Sequence, residues 1–418
     1  MTQLRDDCFA NDSPLLTAAA ALDLLRQRVQ PVVRTETIAL SGAAGRVLAS
    51  EIRSERDVPA HDNSAVDGYA FRADDLASGE PNRLRVAGRS AAGHPLDHAP
   101  RPGTAVRIFT GALMPEGCDT VAMQEDCTVK GDILVVPDGL RQGANRRRRG
   151  EDVRTGQIVL NPGRRLRPQD LGMIASVGRA EVTVYQRLRV AVCSTGDEVS
   201  EPGDAIAPGR IYDANRFMLI ALLEGLGATV TDLGIVGDDR ATIRRTLDHA
   251  RAEHDLVVSS GGVSVGEEDH VRQAIEDFGS LHFWRLAIKP GRPLTLGQIG
   301  QVPFVGVPGN PVAAMVTFLR FVRPVVLRLA GVEDVEPQVF TVIADFNHQK
   351  KSGRREFLRG RLTTGRDGRR HVTPFPHQGA GILRSLVEAD GLVELPEEMT
   401  KLTPGSDVAF LPFSEVLA

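Results

Sequence analysis

Leu188–Val199, LRVAVCSTGDEV, sets an apolar run against a loop of small and acidic residues, Ser194-Thr195-Gly196-Asp197-Glu198. A short apolar run bounded in this way reads as a buried strand that feeds a loop. The pattern then recurs. YDANRFMLIALLEGLG (212–227) reads as a helix stopped by glycine, and ATVTDLGIVGDD (228–239) as a second strand. RATIRRTLDHARAEH (240–254) is a second helix and DLVVSSGGV (255–263) a third strand. DHVRQAIEDFG (269–279) is another helix. The run from Val302 to Gly331 contains a buried strand, a turn and a long apolar helix. Strands alternating with helices predict βαβ units on a mostly parallel sheet, giving an α/β domain over 188–330.

Outward from this core the character changes. Asn11–Val29 predicts a helix with Ser13 as N-cap and Pro14 at its first position. Residues 35–52 give two short strands, and 156–178 a strand followed by a helix. Between them, residues 56–146 are rich in Gly, Pro and short alternating runs, which predicts a β-rich module. The expected division is a discontinuous N-terminal linker domain (1–55 and 147–187), which the resemblance given below makes a dimerisation domain as well, with the β-rich domain (56–146) inserted in it. The α/β domain (188–330) follows, and then a C-terminal domain (331–418). QVFTVIADF, REFLRGRL, GLVELPEE and DVAFLPF make that last part a small β-barrel or sandwich.

The totals exclude several functions. A chain of 418 residues exceeds one core. A formal charge of −4 gives no general affinity for nucleic acid or an anionic membrane, and no apolar run is long enough to span a bilayer. Cys8, Cys118, Cys127 and Cys193 lie far apart without a C-x-x-C pair, so neither a disulfide framework nor a thiolate metal site is indicated. Isolated thiols and the absence of an export signal point to the cytoplasm.

In an open α/β sheet, ligands bind beyond the carboxyl ends of the strands. Those ends here carry loops of two kinds. Ser260, Gly261 and Gly262 would let backbone amides approach a phosphate, Lys289 and Arg292 offer cationic donors, and Asn310 before Pro311 can cap a helix whose positive end faces an anion. Glu198, Asp238 and Asp269 supply carboxylates instead. Against a phosphate these would cost roughly 4 kcal/mol per close pair at an effective dielectric near 20. A magnesium ion reverses that sign, because it binds one or two carboxylates together with phosphate oxygens. The competing reading is that Asp238 or Asp239, and Asp269, cap the helices that follow them. Two further segments are too elaborate for connectors: DVPAHDNSAVDGYAF (57–71) with Asp62, and GANRRRRGEDVRTGQ (143–157), where Arg146–Arg149 precede Glu151 and Asp152. Arginines followed by acids suit a loop that grips phosphate and cation together.

The stretches DNSAVDGYA, IFTGALMPEGCDTVAMQED, RRRGEDV, STGDE, YDANR, SSGGVSVGEEDH, FWRLAIKPGRP and GVPGNPVAA, in this order, resemble the MoeA family of molybdopterin molybdenumtransferases, relatives of the E domain of gephyrin. The likeness spans nearly the whole chain and weakens after about Gly331. It implies an elongated homodimer of four-domain subunits, with a central domain like that of MogA-type adenylyltransferases. The implied activity inserts molybdate into adenylylated molybdopterin and releases AMP, with Mg2+ present, and transient contact with other proteins of molybdenum-cofactor biosynthesis is a further expectation. By motif, Asp62, Asp152, Glu198, Asp238, Asp269 and Lys289 match functional positions, as do Thr110, Arg147, Pro308 and Pro311. Arg285 stands where lysine is usual, which keeps the charge but changes donor geometry. Ser385 corresponds to a serine near the molybdate site. The rival readings are a molybdopterin adenylyltransferase and a non-catalytic cofactor-binding scaffold.

Overall fold

The computed structural model describes residues 15–77, 82–261, 273–275 and 279–417. At its centre is a six-stranded sheet. In spatial order the strands are Thr229–Val236, Arg189–Thr195, Leu256–Ser260, Val302–Val307, Pro293–Ile299 and Gly279–Arg285. The first four run parallel, and the last two turn antiparallel. Arg189–Thr195 and Leu256–Ser260 are almost entirely buried, as expected of strands covered on both faces, whereas the edge strand Thr229–Val236 is largely accessible.

Helix Asn215–Gly225 covers one face with Leu219, Leu222 and Leu223, and Gly227, at φ +90°, ends it in the left-handed conformation glycine favours. Helix Arg240–Glu253 covers the other face through Ile243, Leu247 and Ala250. The long apolar helix after Asn310 is interrupted. Its α-helical parts Pro311–Thr317 and Arg323–Leu329 flank a π turn at Phe318–Val322. Pro324 explains the interruption, since it has no N–H to give to the preceding turn.

The N-terminal helix runs from Ala18 to Arg28, with Thr17 as its cap (Ala20 N to Thr17 Oγ1, 3.2 Å). It therefore starts later than the Ser13-Pro14 signal predicts, and those two residues lie outside the described ones. The reason is Leu16. It forms a parallel bridge with Leu286, receiving a bond from Ala287 N (2.7 Å) and donating to Arg285 O (2.9 Å), which holds it extended.

Strand Thr35–Ala39 pairs with Glu181–Tyr185, and Ile52–Arg53 with Ile158–Leu160, so the segments before and after the β-rich part share one core (Leu48, Ile52, Val153, Leu160, Ile174 and Val182). Asn63–Ser64 pairs with Arg146–Arg147 where the chain leaves for the second six-stranded sheet and returns from it. After the central domain, Arg355–Thr364 pairs on one side with Arg370–Pro374 and on the other with Gly391–Leu395. Phe340–Ala344 and Asp407–Pro412 complete the circuit, so the C-terminal part is a closed five-stranded barrel. Arg370–Pro374 is a strand that the sequence reading lacked.

Candidate functional site

Two adjoining cavities lie at the carboxyl ends of the central strands, of about 660 Å3 and about 290 Å3, and they share Gly261, Gly309 and Asn310 as a common wall. Their chemistry differs.

The larger opens between the sheet and the barrel. Arg285, Lys289, Arg292 and Arg354 stand around it, with Trp284, Ile288 and Pro308 as apolar lining and the barrel loop Gln378–Ala380 opposite. Lys289 is mostly exposed, but its Nζ is 3.2 Å from the buried carboxylate of Glu356, whose other oxygen lies 2.9 Å from His348 Nε2. Burial pushes the Glu356 carboxyl up, yet the bonds from His348 and Lys289 outweigh it and hold the group below the usual range. Arg292 Nε is buried without a partner. Segment Ile288–Lys289 also pairs with Arg355–Glu356 of the barrel, so backbone as well as side chain joins the two walls.

Beneath the barrel loop, Arg359 is fully buried among neutral partners. Its guanidinium donates to Ser385 Oγ (3.0 Å), Phe357 O (3.2 Å) and Gly379 O (3.3 Å). Burial pushes it down to about 10, still well above neutrality, so it remains a cation. Ser385 is itself buried, donates to Ile382 O and lines neither cavity, so its reach toward the cleft is through the loop it supports.

The smaller cavity is lined by Ser194, Thr195, Glu198, Asp213, Asn215, Ser260 and Pro311. Asn215 Nδ2 donates to Ser260 Oγ and to Gly309 O, both at 2.8 Å. Three buried polar atoms there, Ser194 Oγ, Thr195 Oγ1 and Asn215 Oδ1, have no partner, which marks a site built to meet a polar ligand. Asn310 occupies the N-cap position of the following helix, but its side chain makes no capping bond and it faces both cavities.

The capping alternative divides between the two neighbours. Asp239 caps helix Arg240–Glu253, accepting from Ala241 N and Thr242 N at 3.0 Å each. Asp238 is not that cap. It follows the end of Thr229–Val236, whose Val236 pairs with Thr195, so it lies at the same end of the sheet as Glu198. Asp269 and Gly262 lie outside the described residues. Among the described residues no three His, Cys, Asp or Glu side chains form a metal-holding group. The donors available at this edge are hard carboxylate oxygens, the kind magnesium takes in ones and twos beside substrate phosphate.

Asp62, Thr110, Arg147 and Asp152 line neither cavity. They gather where the β-rich part joins: Asp62 Oδ1 accepts from Arg149 N (2.7 Å), Arg147 pairs with Asn63, and Asp152 N donates to Val58 O (3.1 Å). Thr110 gives both its N–H and its hydroxyl to Asp67 at 2.8 Å.

Three protein-family models match in succession: the MoeA N-terminal region (domain I and II) over residues 16–178, the probable molybdopterin binding domain over 191–328, and the MoeA C-terminal region (domain IV) over 341–413. The chain belongs to the MoeA family. A relative in Haemophilus influenzae, called molybdopterin molybdenumtransferase, is 40% identical over 96% of this chain and 100% of its own length. Molybdopterin molybdenumtransferase 2 of Mycobacterium tuberculosis is 34% identical, over 90% of this chain and 94% of that protein. The crystal structure of a molybdopterin biosynthesis MoeA protein from Pyrococcus horikoshii matches with a TM-score of 0.81 at 31% identity, covering 95% of this chain and all of that one. The three matched regions correspond to the β-rich N-terminal part, the central α/β domain and the C-terminal barrel.

The sequence reading of this MoeA family member missed Arg354, Arg359 and Glu356. They belong to the barrel, where the motifs fade. Asn215 stood in a quoted motif, YDANR, without a role; a polar Asn at the start of an otherwise apolar helix was the available signal.

Proposed function

We propose that this protein transfers molybdenum from molybdate into adenylylated molybdopterin, releasing AMP, in the biosynthesis of the molybdenum cofactor. The observation that carries the reading is the pair of abutting cavities, one ringed by cations and the other by carboxylate and unpartnered neutral groups. Such a site can seat a small oxyanion beside a larger phosphate-bearing heterocycle. Arg285, Lys289, Arg292 and Arg354 would hold the oxyanion. Gly261, Ser260, Asn310 and the Pro308–Pro311 turn would present backbone and amide groups to the substrate. Glu198 and Asp238, with Asp269, would hold magnesium, which when bound neutralises charge on the phosphoanhydride. The residues orient the two reactants so that the two dithiolene thiols replace two molybdate oxygens; of the two oxygens released, one leaves with the thiol protons as water and the other cleaves the phosphoanhydride, giving AMP and the phosphate of the pterin.

The four-part domain division set out above fits this reading. Because Asp62, Thr110, Arg147 and Asp152 sit away from both cavities, we place them in the site of a second copy of the chain, acting as a cytoplasmic homodimer. Among the described residues no helix is long and apolar enough to cross a membrane.

The deciding assay follows AMP release from adenylylated molybdopterin with molybdate and magnesium, for the wild type and for Asp269→Asn and Glu198→Gln. Full turnover in both variants would overturn the metal-site assignment. Pyrophosphate release from ATP and molybdopterin would instead favour an adenylyltransferase, and binding without turnover a scaffold.

A further inference from the structure

We infer that Arg216 is a positioning residue for this site: it clamps the loop that carries Glu198, and so sets where that carboxylate stands. The inference rests on the role given to Glu198 above.

Loop 196–213 leaves the first central strand and returns to the start of helix Asn215–Gly225. Its two ends are stitched together, since Val199–Ser200 pairs with Ile211–Tyr212, Ile211 N donates to Glu198 O (2.8 Å) and Asp213 N to Ser200 O (3.0 Å). Glu198 is thus held by its backbone while its carboxylate folds back over Gly196 at the edge of the smaller cavity. Arg216 lies just behind. Its side chain is 3% exposed and meets three carboxylates from three segments: Glu201 of the outgoing loop, Asp213 of the returning one (Nε to Oδ2, 3.0 Å), and Asp232 of strand Thr229–Val236. The Arg216 backbone N–H also reaches Asp213 Oδ1 (3.1 Å), and the guanidinium lies 4.8 Å from the Phe217 ring centre.

The geometry makes this more than a generic buried pair. One planar fork joins both ends of a loop to the strand that leads to Asp238, so a single side chain ties together the segments carrying two proposed metal ligands. Its chain neighbour Asn215 faces the opposite way, into the cavity, against Ser260 and Gly309. Helix start and loop are therefore registered against each other by adjacent residues. A lysine could meet one or two of the three carboxylates but lacks the fork for all of them.

The test combines Arg216→Lys with Glu201→Gln, whose side chain is half exposed and whose loss removes only the outer end of the clamp. AMP release is measured against magnesium concentration. The inference expects the magnesium needed for half-maximal rate to rise about tenfold in both variants, with kcat at saturating magnesium within about twofold of wild type. Amide hydrogen exchange should quicken at Glu198, Val199 and Ile211, with the melting temperature of Glu201→Gln unchanged. Binding of Mn2+ in the presence of AMP, followed by electron paramagnetic resonance, should weaken in step. In a Glu198→Gln background the Arg216 and Glu201 substitutions should have no further effect. Losses that add independently to that of Glu198→Gln, or a fall in kcat with an unchanged magnesium requirement, would overturn the inference. Full activity of Glu198→Gln alone would remove the underlying assignment instead.

Discussion

Lys289 Nζ, on the wall of the larger cavity, and Glu356 Oε1 stand 3.2 Å apart, joining a short strand of the central domain to the first long strand of the barrel. The lysine is the exposed member and the glutamate the buried one, so the pair aims a charge more than it holds the fold together. Lys289→Gln should lower kcat/KM for molybdate on the order of 10²-fold, the usual cost of one preorganised donor. Its effect on unfolding free energy should stay at about 1 kcal/mol, because the mostly exposed lysine contributes little and the buried Glu356 keeps His348 as a partner. Steady-state kinetics and urea unfolding check the two halves. Glu356→Gln keeps the cation but frees it, and should give a smaller loss in the same assay.

Gly261 sits on the wall common to both cavities at φ +83°, and a methyl group there would collide with the carbonyl oxygen of Thr195. Gly261→Ala should destabilise the protein by at least about 1–2 kcal/mol through the left-handed backbone alone, and should reduce turnover further. Gly309→Ala offers the contrast on the same wall. Its added carbon would meet nothing within 4 Å, so denaturant unfolding should show no loss.

Neighbouring acids at the edge of the sheet should separate cleanly. Asp239 closes the start of a fourteen-residue helix, so Asp239→Ala should cost about 1 kcal/mol in urea unfolding while leaving AMP release intact. Asp238→Asn should instead show a large loss of turnover. If the two variants behaved alike, the separation of roles would be wrong.

On the barrel, His371 lies between Asp345 (Nδ1 to Oδ1, 2.8 Å) and Asp367 (Nε2 to Oδ1, 3.2 Å). The bond to Asp345, opposed by burial and assisted by Asp367, raises its pKa above the ordinary histidine value. A group raised on folding contributes stability that is fully present below its unfolded pKa, about 6.5, and that disappears as pH climbs through the folded value. His371→Gln should therefore lower the melting temperature more at pH 5.5 than at pH 9, and the two proteins should converge on the alkaline side.

The parallel strands around LRVAVCST and DLVVSS were legible because burial on both faces demands continuous apolar runs. The loops at their ends followed from the topology. Other features were less local. Closure of the barrel depends on Arg355–Thr364 finding two partners, which no window of sequence displays, and Arg370–Pro374 is short and mostly polar on its outer side. The start of the first helix was misread because a distant strand end holds Leu16 extended, overriding the cap signal upstream. Arg359 carried no signal at all. A fully buried guanidinium in a strand looks, in sequence, like any surface arginine. Of the candidate residues, Glu198, Ser260, Gly261, Arg285, Lys289, Arg292, Pro308, Asn310 and Pro311 line the two cavities, Asp238 lies at the same end of the sheet without lining either, and Asp62, Thr110, Arg147 and Asp152 lie elsewhere, because a linear motif carries no information about which segments meet in space.

The bridge between Leu16 and Leu286 bears on how the molecule assembles. These residues are separated by most of the first two-thirds of the chain, so a very long loop must close between them, at an entropic cost that grows only with the logarithm of its length. During synthesis, Leu16 leaves the ribosome far ahead of its partner, and the first helix has to wait without its docking surface. The strand end at Arg285, on the cationic rim, therefore bears a contact with the opposite end of the described chain, and that contact can form only once Leu286 has been made.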